Sequence, residues 1–230
     1  LKNLKVRKAI NLAINRKTIA DVIWYGQAQP VTSPFFPGSL FHNDKLTPYE
    51  YNIDKANKLL DEAGFKRDSK GVRFELKIDF IPYGATWQRL VEYTKQQLKK
   101  IGIEGKIRNL DLGGWLKAVF TDWDFQMTAT FGNGYYDPVI GIARYYTTSS
   151  ISKGASFTNA SGWSNPEVDK LFDQAAKVTD VEKRKKLFSR IQEVMYEELP
   201  HLQLVAMPTV TMSNKRVQNL PTNGISPYTG

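Results

Sequence analysis

The sequence predicts an α/β chain, and three observations predict it. Residues 72 to 80 alternate, with Val72, Phe74, Leu76, Ile78 and Phe80 on one face and Arg73, Glu75, Lys77 and Asp79 on the other. This is the period of a strand with one core face and one wetter face. Residues 86 to 101 then repeat apolar side chains at Trp87, Leu90, Val91, Leu98 and Ile101, a helix that stops at Gly102, and "IEGKIRNL" follows as a second strand. Strand, crossover helix and strand within about 35 residues make a βαβ unit with a right-handed connection.

The remaining elements fall in order around that unit. "LKVRKAINLAI" places Leu4, Ala9, Leu12 and Ala13 at helical spacing, and Asn15 caps a second segment, "RKTIADVIWYG", that Gly26 stops. Residues 27 to 50 hold Pro30, Pro34, Pro37 and Pro48 among Phe35, Phe36, Leu40 and Phe41, a loop too apolar to be a free linker. "YNIDKANKLLDEAGF" is a helix capped by Asn52 or Asp54, apolar at Ala56, Leu59, Leu60 and Ala63 and ended by Gly64.

Residues 111 to 120 read as a short helix carrying Trp115, and 124 to 131 as a third strand with Phe125, Met127, Ala129 and Phe131 on one face. The chain then breaks at Gly132-Asn133-Gly134, shows Tyr135 and Tyr136, and restarts as a helix at Asp137-Pro138. Asn165-Pro166 opens another helix. Thr179 and Glu182 form a capping box for the long helix after it, whose stripe runs Leu187, Ile191, Val194 and Met195 before Pro200. "LQLVAM" is a last strand region, and the tail beyond it is rich in turn formers.

Composition excludes several function classes. The chain has no cysteine, which removes disulfides, thiolate metal sites and cysteine nucleophiles together. Its 230 residues carry a net charge of +9, but the basic residues are spread, as at Lys183, Arg184, Lys185 and Lys186, in the manner of solvated helix faces. A nucleic-acid footprint wants clustering with interleaved aromatics. The opening "LKNLKVRKAI" begins inside a helical pattern without a methionine, which predicts a fragment whose amino terminus lies upstream.

Catalytic chemistry finds little to work with. The two histidines, His42 and His201, sit in no metal-ligand spacing and read as structural or surface side chains. The pairs Asp61-Glu62 and Glu197-Glu198 are helix neighbours that point to different faces. Gly132-x-Gly134 lacks the third glycine of a dinucleotide loop and the lysine of a phosphate loop. No cofactor, metal site or catalytic residue is expected. The aromatics are more informative: Trp87 at a helix start, Trp115 beyond one strand and Tyr135-Tyr136 beyond another stand at one end of a sheet, where open α/β sheets bind ligands.

Several phrases together resemble the extracytoplasmic solute-binding proteins of the oligopeptide and dipeptide class (family 5) that serve ABC importers. They are "VRKAINLAINRKTI", "YNIDKANKLLDEAGF", "LVEYTKQQLKKIGI", "YYDP" and "WSNPEVDKLFDQAAKVTDVEKRKKLFSRIQEVMYEELPHLQL", in that order. The resemblance implies one lobe of a bilobal class II periplasmic-binding-protein-like fold, a mixed sheet flanked by helices. It implies a ligand-binding carboxy-terminal lobe over residues 1–205, and a tail over 206–230 that crosses back to the amino-terminal lobe. It also implies a monomeric receptor, periplasmic or lipid-anchored at the outer surface, whose partners are a peptide or small-molecule ligand and membrane permease subunits, with no role for nucleic acid.

By the same resemblance, Trp87, Trp115 and Phe131 line the pocket, together with the loop Gly132, Asn133, Gly134, Tyr135 and Tyr136, while Asp137 is a helix cap or a ligand contact. Peptide-binding relatives keep an aspartate in this loop for the peptide's amino group. Here that position falls on Asn133 or Gly134, which points instead to main-chain amides of Gly132 to Gly134 receiving a carboxylate or a sugar oxygen. An oligosaccharide or other non-peptide ligand is the alternative to a peptide.

Overall fold

The computed structural model describes residues 1–135, 137–207 and 213–218. The βαβ unit forms as the pattern predicts. β2 (Phe74–Phe80) pairs in parallel with β3 (Ile103–Ile107), joined by α4 (Ala85–Lys100), and on its other side with β4 (Met127–Ala129), giving the order β3-β2-β4. A separate antiparallel pair joins β1 (Gln29–Pro30) to β5 (Val205–Ala206). Parallel and antiparallel pairing are thus both present, in different sheets.

Asparagine starts much of the helical structure. The side chains of Asn3, Asn15, Asn52 and Asn165 accept amide protons at the starts of α1 (Leu4–Ala13), α2 (Arg16–Thr18), α3 (Ile53–Glu62) and α7 (Pro166–Lys177). Each satisfies amides that have no partner within the helix. α2 runs on into a wider π-helical turn, Ile19–Ile23, and the chain reverses at Gly26 with φ of 72°. α8 (Val181–Glu198) corrects the expected cap. Asp180, not Thr179, is the cap: it is in extended conformation and accepts the Lys183 amide at 2.8 Å. A carboxylate there both caps the helix and complements its positive end.

The core falls into three clusters. The first packs Ala9, Ile10 and Ala13 of α1 and Leu60 of α3 against Leu76 and Ile78 of β2 and Leu98 of α4. The second, around Phe188 and Ile191 of α8 and Phe172 of α7, takes in Phe35 and Phe41, so the proline-rich loop does pack onto a core while Phe36 and Leu40 stay exposed. Phe188, absent from the expected stripe, sits at the centre of this cluster and contacts Phe35 and Phe41 with ring centroids 5.6 and 4.8 Å apart. The third comprises Ile81, Trp115, Val119 and Phe120.

The wetter face of β2 also needs correction. Asp79 is 0% exposed, and Arg108 bridges it, donating from Nε and Nη2 to its two carboxylate oxygens at 2.7 and 2.8 Å. Arg108 continues to Asp124, which also accepts from Lys77 at 2.7 Å. The Lys77 and Arg108 hydrogen bonds hold the Asp124 carboxyl down at about 2. A buried carboxylate persists only with such partners.

Candidate functional site

The loops that leave the carboxyl ends of β2 and β4 build one wall of a cleft. After β2, Ile81 to Gly84 turns the chain into α4, and Gly84, at φ of 92°, adopts a conformation open to glycine. This sets Trp87 in the first turn of α4, where its ring meets Phe131 beyond β4 at 6.2 Å and Trp24 edge-on at 5.9 Å. Phe131 is flanked by Tyr83 at 5.9 Å and Phe157 at 6.2 Å. Trp87 and the segment after the third strand thus stand at the same end of the sheet.

The loop 131–135 is fixed from behind. Asp137 caps α6 (Pro138–Gly141), accepting the Val139 amide at 2.9 Å, while its two carboxylate oxygens accept from Arg184 Nη2 at 2.8 Å each. A Cβ placed on Gly141 would collide with the Gly134 carbonyl, so only glycine lets this helix seat against the loop. Gly132 lies against the ring of Tyr145, whose burial pushes its pKa up. Tyr135 adopts φ of 45° and leaves its side chain 46% exposed. Backbone held in this region by a non-glycine residue is costly, and marks a segment over-determined by its surroundings.

The cleft has a volume of about 1580 Å³, and Trp87, Phe131, Gly132, Asn133, Gly134 and Tyr135 all line it. Trp115 does not. It is 0% exposed, its Nε1 donates to Thr128 Oγ1 at 3.0 Å, and its ring packs on Phe120 and Phe157 at 5.5 and 6.0 Å. The expectation that Trp115 faces ligand is therefore corrected: it stands one layer behind, supporting two residues that do line the cleft. Tyr136 lies outside the described residues. Asp137 caps α6 and pairs with Arg184, and it is not among the residues that line the cleft.

Sequence reasoning missed Phe120, Phe157, Tyr145 and Trp24 as lining residues. Phe157 had no signal to offer, because it sits in an aperiodic loop at φ of 57°, its carbonyl held by Arg144 Nε at 2.7 Å. His201 also lines the cleft; burial pushes its pKa down to about 4, and its ring lies 4.7 Å from that of Tyr146. Among the described residues no three His, Asp or Glu side chains converge as a metal site, and no helix is long and apolar enough to cross a membrane.

Comparison with known proteins matches residues 1–153 to the model of bacterial extracellular solute-binding proteins, family 5 Middle. The glutathione-binding protein GsiB of Escherichia coli K12 is 28% identical over 244 residues, which cover 99% of this chain and 43% of that protein. The periplasmic binding protein DppA of Helicobacter pylori, solved with the peptide STSA, superposes with a TM-score of 0.77 at 28% identity, over 88% of this chain and 38% of that one. NikA of Brucella suis, solved with Fe(III)-EDTA, gives 0.74 at 26%, over 90% and 42%. The chain therefore spans less than half the length of the relatives it matches, and its α/β fold is that of part of a class II periplasmic binding protein. With two thirds of its length matched by one family model and its fold superposing on solved relatives, the chain belongs to the bacterial extracellular solute-binding proteins of family 5.

Proposed function

We propose that residues 1–205 form the ligand-binding carboxy-terminal lobe of the solute-binding component of an ABC importer, with 206–230 returning to the other lobe. Most of that tail lies outside the described residues. In this reading the protein works outside the cytoplasm, as a monomer, in the periplasm or tethered at the outer surface. It captures a peptide or another small polar solute between two lobes and delivers it to the membrane permease. The observation that carries the reading is the open aromatic cleft at the carboxyl ends of β2 and β4, in a chain of this family. Half-open walls of this kind bind by closing over a ligand, and the closed state is what a partner can sense.

A binding role rather than catalysis is supported by the lining itself. Glu198 is the one carboxylate among the lining residues, and its two oxygens already accept from Trp163 and Asn165. Among the described lining residues no hydroxyl hydrogen-bonds to Glu198 or His201, whereas hydrolysis or group transfer needs a nucleophile and base within hydrogen-bond reach.

The test is native mass spectrometry of the full-length protein purified without refolding. A small solute retained in stoichiometric amount, and recovered unchanged after incubation, supports the receptor reading. Conversion of that solute to a product sinks it.

A further inference from the structure

Resting on the receptor reading above, the charge inventory of the cleft restricts what this wall can hold. Apart from tyrosines, the ionisable side chains that line it are Lys2, Arg7, Glu198 and His201. Arg7 is occupied: Nε and Nη2 donate to the Glu198 carbonyl at 3.1 and 2.7 Å, and Nη1 to the Leu1 and Lys2 carbonyls at 3.0 and 2.8 Å. The Glu198 carboxylate accepts from Trp163 Nε1 at 2.8 Å and from Asn165 Nδ2 at 2.9 Å. His201 is kept neutral by burial, and Lys2 is exposed to solvent.

The inventory is complete for the chain's side chains. Tyr136 and the stretches 208–212 and 219–230, which lie outside the described residues, contain no Asp, Glu, Lys, Arg or His. What the wall does present is the partly exposed ring set of Trp87, Phe131 and Phe157, with the neutral polar groups of Asn133, Thr130 and Thr158 beside it. Charged groups taken from water need a charged partner or several hydrogen bonds in return. Rings ask only for a flat face.

We propose that this wall recognises an uncharged, flat-faced part of the ligand, through the rings of Trp87, Phe131 and Phe157 and the neutral groups beside them, and supplies no free carboxylate for a ligand ammonium. Two ligand sources share that chemistry: an aromatic side chain within a peptide, and the CH face of a saccharide.

The experiment is calorimetric titration of the full-length protein with three probes: the tripeptide Ala-Phe-Ala, its N-acetylated twin, and cellotetraose. Wild type is compared with Phe131→Ala and Glu198→Gln. The expected result is that Phe131→Ala weakens every probe that binds by about tenfold, and both peptides alike. Glu198→Gln is expected to keep the free-to-acetylated affinity ratio within about twofold of wild type. That ratio is internal to each variant, so partial destabilisation leaves it readable, and a charge partner elsewhere in the protein leaves it unaltered by these substitutions. Binding of cellotetraose without the peptides assigns a saccharide, and the reverse assigns an aromatic side chain.

A fall of about tenfold or more in the ratio on Glu198→Gln would place the ammonium on this wall and overturn the inference while leaving the receptor role intact. Unchanged affinities in Phe131→Ala overturn it equally. If no probe binds and no solute is retained on purification, the receptor reading falls, and this inference with it.

Discussion

Arg184 of α8 donates from one nitrogen, Nη2, to both carboxylate oxygens of Asp137, each at 2.8 Å, and so ties the long helix to the cap of the short helix that follows the cleft loop. The same guanidinium lies over the rings of Phe41 and Phe188, at 5.1 and 5.2 Å, which fixes its position. Because Asp137 also accepts the Val139 amide, Asp137→Ala removes a cap and an ion pair together. The expected loss is about 1 to 2 kcal/mol in chemical denaturation of the full-length protein. Asp137→Asn keeps an acceptor for Val139 and should recover roughly half of that loss. Equal destabilisation by both substitutions would show that the ion pair, and not the cap, carries the effect.

Gly141 faces the Gly134 carbonyl at a distance that leaves no room for a side chain. Gly141→Ala is therefore expected to push the loop 132–135 toward the cleft or to lift α6 off it, at a cost of about 1 to 3 kcal/mol. Ligand affinity should fall with it, since Asn133 and Tyr135 line the cleft. Gly26→Ala is a useful contrast. A Cβ at Gly26 meets nothing within 4 Å, so it strains φ alone and should leave affinity unchanged. Thermal melts alongside ligand titration separate the two outcomes.

These relationships show which parts of the molecule were legible beforehand. Helix starts at Asn15, Asn52, Asn165 and Asp137 could be read because a cap is a contact between near neighbours in sequence, and the βαβ unit because its two periods differ sharply. Thr179 misled because Asp180, one residue on, competes for the same role with a stronger acceptor. In the sequence Asp79 falls on the wetter face because its partner Arg108 is 29 residues away and only the pairing of β2 with β3 brings them together. Within the site, Trp87 and Phe131 follow from strand ends, which the pattern marks. Whether a tryptophan such as Trp115 faces ligand or core depends on what packs over it, here Phe120 and Phe157 from other segments, and no local pattern encodes that.

Trp115 and Trp87 should accordingly separate in their effects. Trp115→Phe deletes the hydrogen bond to Thr128 and leaves space in a fully buried layer, with an expected cost of about 1 to 3 kcal/mol. Its effect on ligand affinity should be small wherever the protein stays folded. Trp87→Ala loosens packing against two core clusters but also removes a face of the cleft, and should weaken binding by about tenfold. If Trp115→Phe lost affinity as steeply as Trp87→Ala while keeping its stability, Trp115 would have to reach ligand in the closed state.

His201 supplies a pH dependence whose sign is fixed by its burial. Its folded pKa is pushed down to about 4, below the value of about 6.5 expected for the unfolded chain, so between those values the unfolded state binds more protons. Stability is therefore full above about pH 6.5 and falls as the pH drops toward 4, by up to about 3 kcal/mol. The neighbouring Tyr146 stays protonated throughout, since burial raises its pKa further from this range. His201→Gln removes the titrating group, so urea denaturation at pH 4.5 and 7 should differ less in the variant than in wild type. The carboxylates that titrate lower, Asp124 among them, add their own acid sensitivity to both proteins and cancel in that comparison. An identical pH dependence in wild type and variant would mean that His201 charges freely in the folded state, with water reaching its ring from the cleft.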